Sequence, residues 1–183
     1  MKEIINLLFE AKMLKELQRS GLAFLGAGKE SVAEHSYMVS FIGFVMSSLE
    51  KDIDSGKLLK MCLLHDLPES RTGDINYVQK HYIEKNEAKA VSDMTKDIPF
   101  GKDIEELIAE FNSGSSKEAK LAKDADQLAF LLELKSLHDV GSKTSKKWIS
   151  VVKRRVKTKI GKKIAEKILE TEWDNWWMKN YVD

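Results

Sequence analysis

One cysteine, two prolines, four histidines and no long apolar run are what this 183-residue chain has little of, and each scarcity closes a class of answers. The single thiol, Cys62, cannot build an internal disulfide framework and fits a reducing compartment. It lies in the apolar run before His65, where a free cysteine packs as a small hydrophobe. No apolar stretch approaches the ~20 residues of a bilayer span, so no membrane helix is expected. The opening Met1-Lys2-Glu3-Ile4-Ile5 lacks the apolar core of a secretory leader, and a cytoplasmic protein is expected. Thirty basic against 29 acidic residues leave a net charge of +1, too small for a global pull toward nucleic acid or a membrane surface. With only Pro68 and Pro99 to interrupt it, and with apolar residues recurring at helical spacing, the chain reads as all-α. Its length suits one domain, 1–183, with a core of its own.

What is present is concentrated around Cys62-Leu63-Leu64-His65-Asp66-Leu67-Pro68-Glu69. An imidazole and a carboxylate stand side by side, a second carboxylate follows one helical turn later, and Ser70-Arg71-Thr72-Gly73-Asp74 adds another acid after a glycine. Adjacent helical side chains diverge by roughly 100°, so His65 and Asp66 converge only on something lodged beside the helix. Neutral imidazole with carboxylate suits a borderline divalent metal. Pro68 removes a backbone donor and clashes with the preceding turn, so the helix is expected to kink or end there, at a place where chemistry is commonly mounted.

Helical spacing predicts a first amphipathic helix over 3–18, then a loop, Leu25-Gly26-Ala27-Gly28-Lys29, without Walker spacing. Ser31-Val32-Ala33-Glu34 has the form of a capping box and starts a second helix. His35 falls in its first turn among apolar neighbours, where by itself it reads more simply as a hydrogen-bonded core residue than as a ligand. Asp54 or Ser55 caps the third helix; residues 76–97 read as a polar helix, and 102–111 as a short acidic one. A long helix capped near Ser115-Ser116 runs to about His138 and contains Lys123-Asp124-Ala125-Asp126-Gln127. Residues two apart on a helix point about 200° apart, so only one of the two aspartates is expected to face the interior. Small neighbours Ala122 and Ala129 favour Asp126. His81 reads as a solvated surface residue, and His138 as a cation complementing the helix dipole.

From Lys143 to Lys167 the chain carries eleven Lys or Arg and one acid, Glu166. Because Trp148, Ile149, Val152 and Val156, then Ile160, Ile164 and Ile168, recur at helical spacing, two amphipathic helices with solvated basic faces are expected there rather than a nucleic-acid surface. Trp173, Trp176 and Trp177 are expected to pack the terminal helix onto the body or onto a second subunit.

His35, His65-Asp66 and Asp126 stand in the order H…HD…D on three separate helices. Together with Arg19-Ser20-Gly21, Ser31 to Ser36, the run from His65 through Asp74, and Glu118 to Gln127, this pattern resembles the HD-domain metal-dependent phosphohydrolases. It looks most like their 5′-deoxyribonucleotidase branch. The resemblance implies a compact helical bundle with its motif-bearing core at about 19–140 and appended basic and aromatic helices at about 144–181. It implies one divalent ion, Co²⁺ or Mn²⁺ or similar, held by His35, His65, Asp66 and Asp126. It also implies Glu69 and Asp74 as the catalytic acids, Arg19 as the phosphate ligand, a nucleotide substrate and a homodimer. Lys29, from its loop position, is taken as a second phosphate contact. The family often carries a large aromatic residue after the phosphate arginine; here Ser20, Gly21 and Leu22 stand there instead, with Phe24 further on. The alternatives are an HD hydrolase of another phosphate ester, such as a nucleoside triphosphate or signalling nucleotide, and a metal-stabilised binding module without turnover.

Overall fold

Helices account for the whole framework of the computed structural model, which describes residues 1–181. Among the described residues there are ten: α1 (Lys2–Met13), α2 (Val32–Leu49), α3 (Ser55–Leu64), α4 (Glu69–Thr72), α5 (Glu87–Thr95), α6 (Gly101–Ser113), α7 (Lys117–Asp139), α8 (Lys143–Arg155), α9 (Lys159–Glu170) and α10 (Asn175–Met178). Two 3₁₀ turns, Ser20–Leu25 and Gln79–His81, fall between them. None of these helices is long and apolar enough to cross a membrane.

Helix α7 is the axis. Helices α2, α3, α6, α8 and α9 pack around it, and its buried residues, among them Leu121, Ala122, Asp124, Ala125, Leu128, Ala129 and Leu131, lie on every side of its circumference. A helix enclosed in this way must be small or apolar almost throughout. A second core joins α1, α5 and α6 through Leu7, Leu14, Val91, Met94, Ile104 and Ile108, with Leu67 from the turn after α3.

Local chemistry sets the boundaries. Ser31 closes the expected capping box: its Oγ accepts from Glu34 N at 3.2 Å, and Glu34 Oε2 accepts from Ser31 N at 2.6 Å. Asp54 caps α3, Ser116 caps α7 and Thr158 caps α9, each accepting from a first-turn amide. Helix α1 stops at Met13 rather than at 18 because the carbonyls of Leu14 and Leu17 accept from Ala33 N and Val32 N, and a Gln18–Ser31 bridge draws the chain away. The expected helix over 76–97 is also shorter. Asn76 Oδ1 caps a 3₁₀ turn by accepting from Val78 N and Gln79 N, and the helix begins afresh at Glu87 behind Asn86. The apolar residues of 76–86 have no helical period, so no packed face rewards a helix there. Of the two packings expected for the terminal aromatics, the one onto the body is incomplete: Trp173 is 44% and Trp176 72% exposed in the single chain.

Helices α2 and α3 approach most closely where Gly43 meets Cys62. A β-carbon on Gly43 would stand 2.7 Å from Cys62 Sγ, and the thiol is fully buried. Gly43→Ala is therefore expected to destabilise the fold by about 1–3 kcal/mol through overpacking. In a double-mutant cycle by denaturant unfolding, Cys62→Ala should recover part of that loss; strict additivity would show that the two side chains do not compete for the space.

Candidate active site

Three helices and one turn bring the acid and imidazole groups together. His35 sits in the first turn of α2, fixed by the capping box one residue before it. His65 is the C-cap of α3, and Asp66 follows where the chain leaves the helix. Asp126 projects from α7. His35 Nε2 lies 2.9 Å from Asp126 Oδ1 and 3.9 Å from Asp66 Oδ2, and His65 Nε2 lies 3.1 Å from the same Asp66 oxygen. One ligating atom each from His35, His65 and Asp126 falls within a 4.8 Å cluster, so these three could hold a metal ion. Asp66 borders that cluster through its distances to both rings.

The His65 imidazole is held as a ligand would need to be. His65 Nδ1 donates to the carbonyl of Cys62 at 2.8 Å, which leaves Nε2 toward the carboxylates. Nε2 is buried and not aligned for a hydrogen bond with any neighbour. Such an orphaned nitrogen in a nest of carboxylates is what a bound cation would satisfy. Phe111 of α6 supports the ring, 5.2 Å between centroids.

Burial and charge act against each other here. Burial pushes Asp66 and Asp126 upward, yet the facing imidazoles and Arg19 outweigh it and hold both well below the usual carboxylate range. Burial likewise opposes the charge on His65, but Asp66 prevails and raises it to about 9. His35 goes the other way: burial, helped by Arg19, lowers it despite Asp126. Burial raises Glu69, with Asp66 and Asp74 adding to the shift and Lys85 opposing it.

Arg19, Asp66, Glu69, Asp74 and Asp126 line one cavity of about 410 Å³, within the usual span of small-molecule sites, about 300–1,000 Å³. Arg19 Nη1 donates to Asp66 Oδ2 at 3.3 Å. Asp74 Oδ2 accepts from Ser20 N at 2.6 Å and Ser20 Oγ at 3.2 Å, tying the chain beside Arg19 to the turn after α4. Glu69 Oε1 accepts from Lys85 Nζ at 3.2 Å, while its Oε2 is buried without a partner.

Lys29 is not brought to this cavity. Its side chain is exposed and borders two surface depressions beside Glu30, one of which shares Arg19 and Leu22 with the cavity. Phe24 is also directed outward, 51% exposed. Conversely, the basic segment is more than a solvated face, because α8 delivers Trp148 and Arg155 to the cavity, seven residues apart on one face of the helix. Tyr77, Lys80 and Phe130 complete the wall. Only the seven-residue spacing of Trp148 and Arg155 hinted at this; Lys85 carried no signal in the sequence.

The expectation that only one of Asp124 and Asp126 faces the interior fails. Asp124 is 1% exposed. Its carboxylate accepts from Lys157 N at 2.8 Å, Thr158 N at 2.7 Å and Thr158 Oγ1 at 2.6 Å, locking the α8–α9 turn. Because α7 is enclosed, both of its opposite faces are interior.

Two outcomes follow from this geometry. Asp126→Ala should abolish tight divalent-ion binding in calorimetry. Asp124→Ala should spare ion affinity but cost about 2–4 kcal/mol in denaturant unfolding, since it removes the shared acceptor of three partly buried donors. Stability against pH is the second. Glu30, raised by burial from 4.5 to about 7, Glu69 and His65 all hold a proton more tightly folded than unfolded. Each therefore withdraws stability as pH rises from its ordinary value through its folded one. His35, held below its ordinary 6.5, acts in the opposite sense and withdraws stability as pH falls below that value. Cation-free protein should therefore melt highest at about pH 5–6, above the range where protonation of Asp66 and Asp126 costs stability, and lose melting temperature toward pH 9. A divalent ion held by His65 would displace its proton and should then stabilise more at pH 8 than at pH 5. A flat differential-scanning profile across this range would contradict the assigned charges.

The HD-domain family model matches residues 11–169, a span that runs from the end of α1 to the end of α9. The 5′-deoxynucleotidase HDDC2 of Dictyostelium discoideum is 34% identical over 135 residues, 66% of this chain and 70% of that protein. The 5′-deoxynucleotidase hdd1 of Schizosaccharomyces pombe is 30% identical over 131 residues, 66% of this chain and 65% of that one. Among solved structures, a conserved hypothetical protein from Pyrococcus furiosus superposes with a TM-score of 0.79 at 29% identity, over 91% of this chain and 99% of its own. With its H…HD…D side chains gathered beside one cavity and a family match covering most of its length, the chain belongs to the HD-domain family.

Proposed function

We propose that this protein is a divalent-cation-dependent phosphohydrolase that converts (deoxy)nucleoside 5′-monophosphates to nucleoside and phosphate. One observation carries the reading: a single cavity brings together two aspartates backed by two buried histidines, a half-buried arginine and a carboxyl group with an unpartnered oxygen. The names of the Dictyostelium and Schizosaccharomyces relatives supply the substrate class.

In this reading His35, His65, Asp66 and Asp126 hold one divalent ion. When bound, such an ion lowers the pKa of water and offsets charge on phosphoryl oxygens. Arg19 stays cationic, because the carboxylates around it outweigh its burial, and its fork can pair with phosphate oxygens. Glu69 orients the attacking water and takes its proton, and the departing 5′-oxygen is protonated in turn. Asp74 anchors Ser20, and so the chain that sets Arg19, and is the second carboxyl group on the cavity wall for proton transfer. Tyr77, Phe130 and Trp148 offer the nucleoside an apolar boundary. Lys80 and Arg155 add cations, which is reason to test polyphosphates alongside. A homodimer belongs to the same reading. The exposed row Tyr37, Phe41 and Phe44 on α2, and an apolar groove of about 800 Å³ that includes Met38, Leu132, Ile164 and Trp176, support it.

The test is phosphate release from deoxy- and ribonucleoside mono- and triphosphates by metal-stripped protein with Mn²⁺, Co²⁺, Mg²⁺ or Zn²⁺ restored singly. Ion-dependent release from the monophosphates is expected. Silence across the panel with an ion bound would refute the proposal. Glu69→Gln should lower kcat by about 10²–10⁴-fold while leaving ion affinity near that of the unaltered protein; unchanged turnover would remove Glu69 from the mechanism.

A further inference from the structure

Glu30 takes no part in the proposed chemistry, yet its carboxylate is largely buried beside the cluster. Its side chain is 11% exposed, and Oε2 is buried without a hydrogen-bond partner. That same oxygen lies 3.8 Å from His35 Nδ1, itself buried and unpartnered, and 4.0 Å from Arg19 Nε. A single carboxylate oxygen thus stands behind both an imidazole of the acid–imidazole cluster and the arginine of the cavity. The backbone keeps it there: Arg19 N donates to Glu30 O at 2.8 Å, and Val32 N to Leu17 O at 2.8 Å. Ser31, the next residue, begins the capping box that starts α2.

The two histidines pose the same chemical problem and find different partners. A neutral imidazole that ligates through Nε2 carries its proton on Nδ1, and that N–H needs an acceptor to fix the ring. His65 uses the Cys62 carbonyl. For His35 the facing acceptor is Glu30 Oε2, and closing 3.8 Å to the usual N–H···O range of about 2.7–3.2 Å takes a shift of the carboxylate by less than about an ångström. In the cation-free protein the His35 Nε2···Asp126 contact at 2.9 Å leaves the ring free to carry its proton on Nε2 instead. Ligation through Nε2 removes that option and makes the Nδ1 acceptor necessary.

We propose that Glu30 is a positioning residue that accepts a hydrogen bond from His35 Nδ1–H when a divalent ion is held, and with the same oxygen orients the Arg19 guanidinium. The proposal rests on the four-residue ion site of the preceding section. It gives Glu30 two separable effects: an acceptor for His35, which an amide oxygen can replace, and a negative charge beside Arg19, which an amide cannot.

Zn²⁺ titration calorimetry and substrate kinetics on Glu30→Ala and Glu30→Gln separate the two effects. Glu30→Ala is expected to weaken Zn²⁺ about 10–100-fold, and Glu30→Gln to recover most of that affinity. Both variants should raise KM for a nucleoside monophosphate, since Arg19 loses its counter-charge in each. Full Zn²⁺ affinity in a Glu30→Ala protein with native circular dichroism would overturn the proposal. If Glu30→Ala does not fold, Glu30→Asp replaces it: withdrawing the carboxylate by one methylene must weaken Zn²⁺ while keeping the charge, and equal affinity would again overturn it. If the unaltered protein binds Zn²⁺ and the Glu30 variants bind it less, but no phosphate ester is hydrolysed, the positioning role stands and the proposed function fails.

Discussion

The arrangement depends on the repulsion between carboxylates gathered in a partly dry interior. Asp66 and Asp126 lie 3.9 Å and 2.9 Å from the His35 Nε2 nitrogen, and Glu69, Asp74 and Glu30 add further carboxyl groups nearby. Such a set is costly to bury unless positive charge offsets it. The protein supplies part of the compensation itself: Arg19 bonds Asp66, Lys85 pairs with Glu69, and the His65 ring takes up a proton against the cost of its burial. The remainder is an electrostatic demand for a cation at the point where the two rings and two acids meet. This demand links fold to chemistry, because the groups that must be paired are the ones that border the cavity.

Helix α7 makes the concentration of charge possible. It is surrounded by neighbours, so no side of it is free to carry solvated acids, and its two aspartates are used in opposite directions. Asp126 faces the imidazoles across the interior. Asp124, about half a helical turn away, receives the amides of Lys157 and Thr158 and holds α8 and α9 in place. The second contact reaches the cavity indirectly, since the α8 it helps anchor carries Trp148 and Arg155 to the wall. A residue that binds nothing is thereby part of the reason the cavity has a closed side.

Much of this was legible in the chain. Caps at Ser31, Asp54 and Ser116 and the break at Pro68 placed the main helices because each depends on chemistry within four residues. The convergence of His35, His65, Asp66 and Asp126 was legible only through the ordered H…HD…D pattern; for the two aspartates, periodicity misled, because it assumes one solvated face and α7 has none. The stretch 76–86 read as helix from polar spacing, yet Asn76 and Asn86 use their side chains to cap shorter turns. Lys29 looked like a phosphate contact from its glycine-bearing loop, but the direction of a side chain in a loop is set by backbone torsions that residue identity leaves open. Glu30, its neighbour, carried no signal at all, since its importance comes from facing an atom five residues ahead across the helix cap.

The most direct test of the central claim is anomalous X-ray scattering from crystals grown with Mn²⁺. The account predicts one strong peak within coordination distance of His35 Nε2, His65 Nε2 and carboxylate oxygens of Asp66 and Asp126, lost in Asp66→Ala crystals. A peak bound elsewhere, or no peak at saturating Mn²⁺ with the four side chains in place, would contradict it.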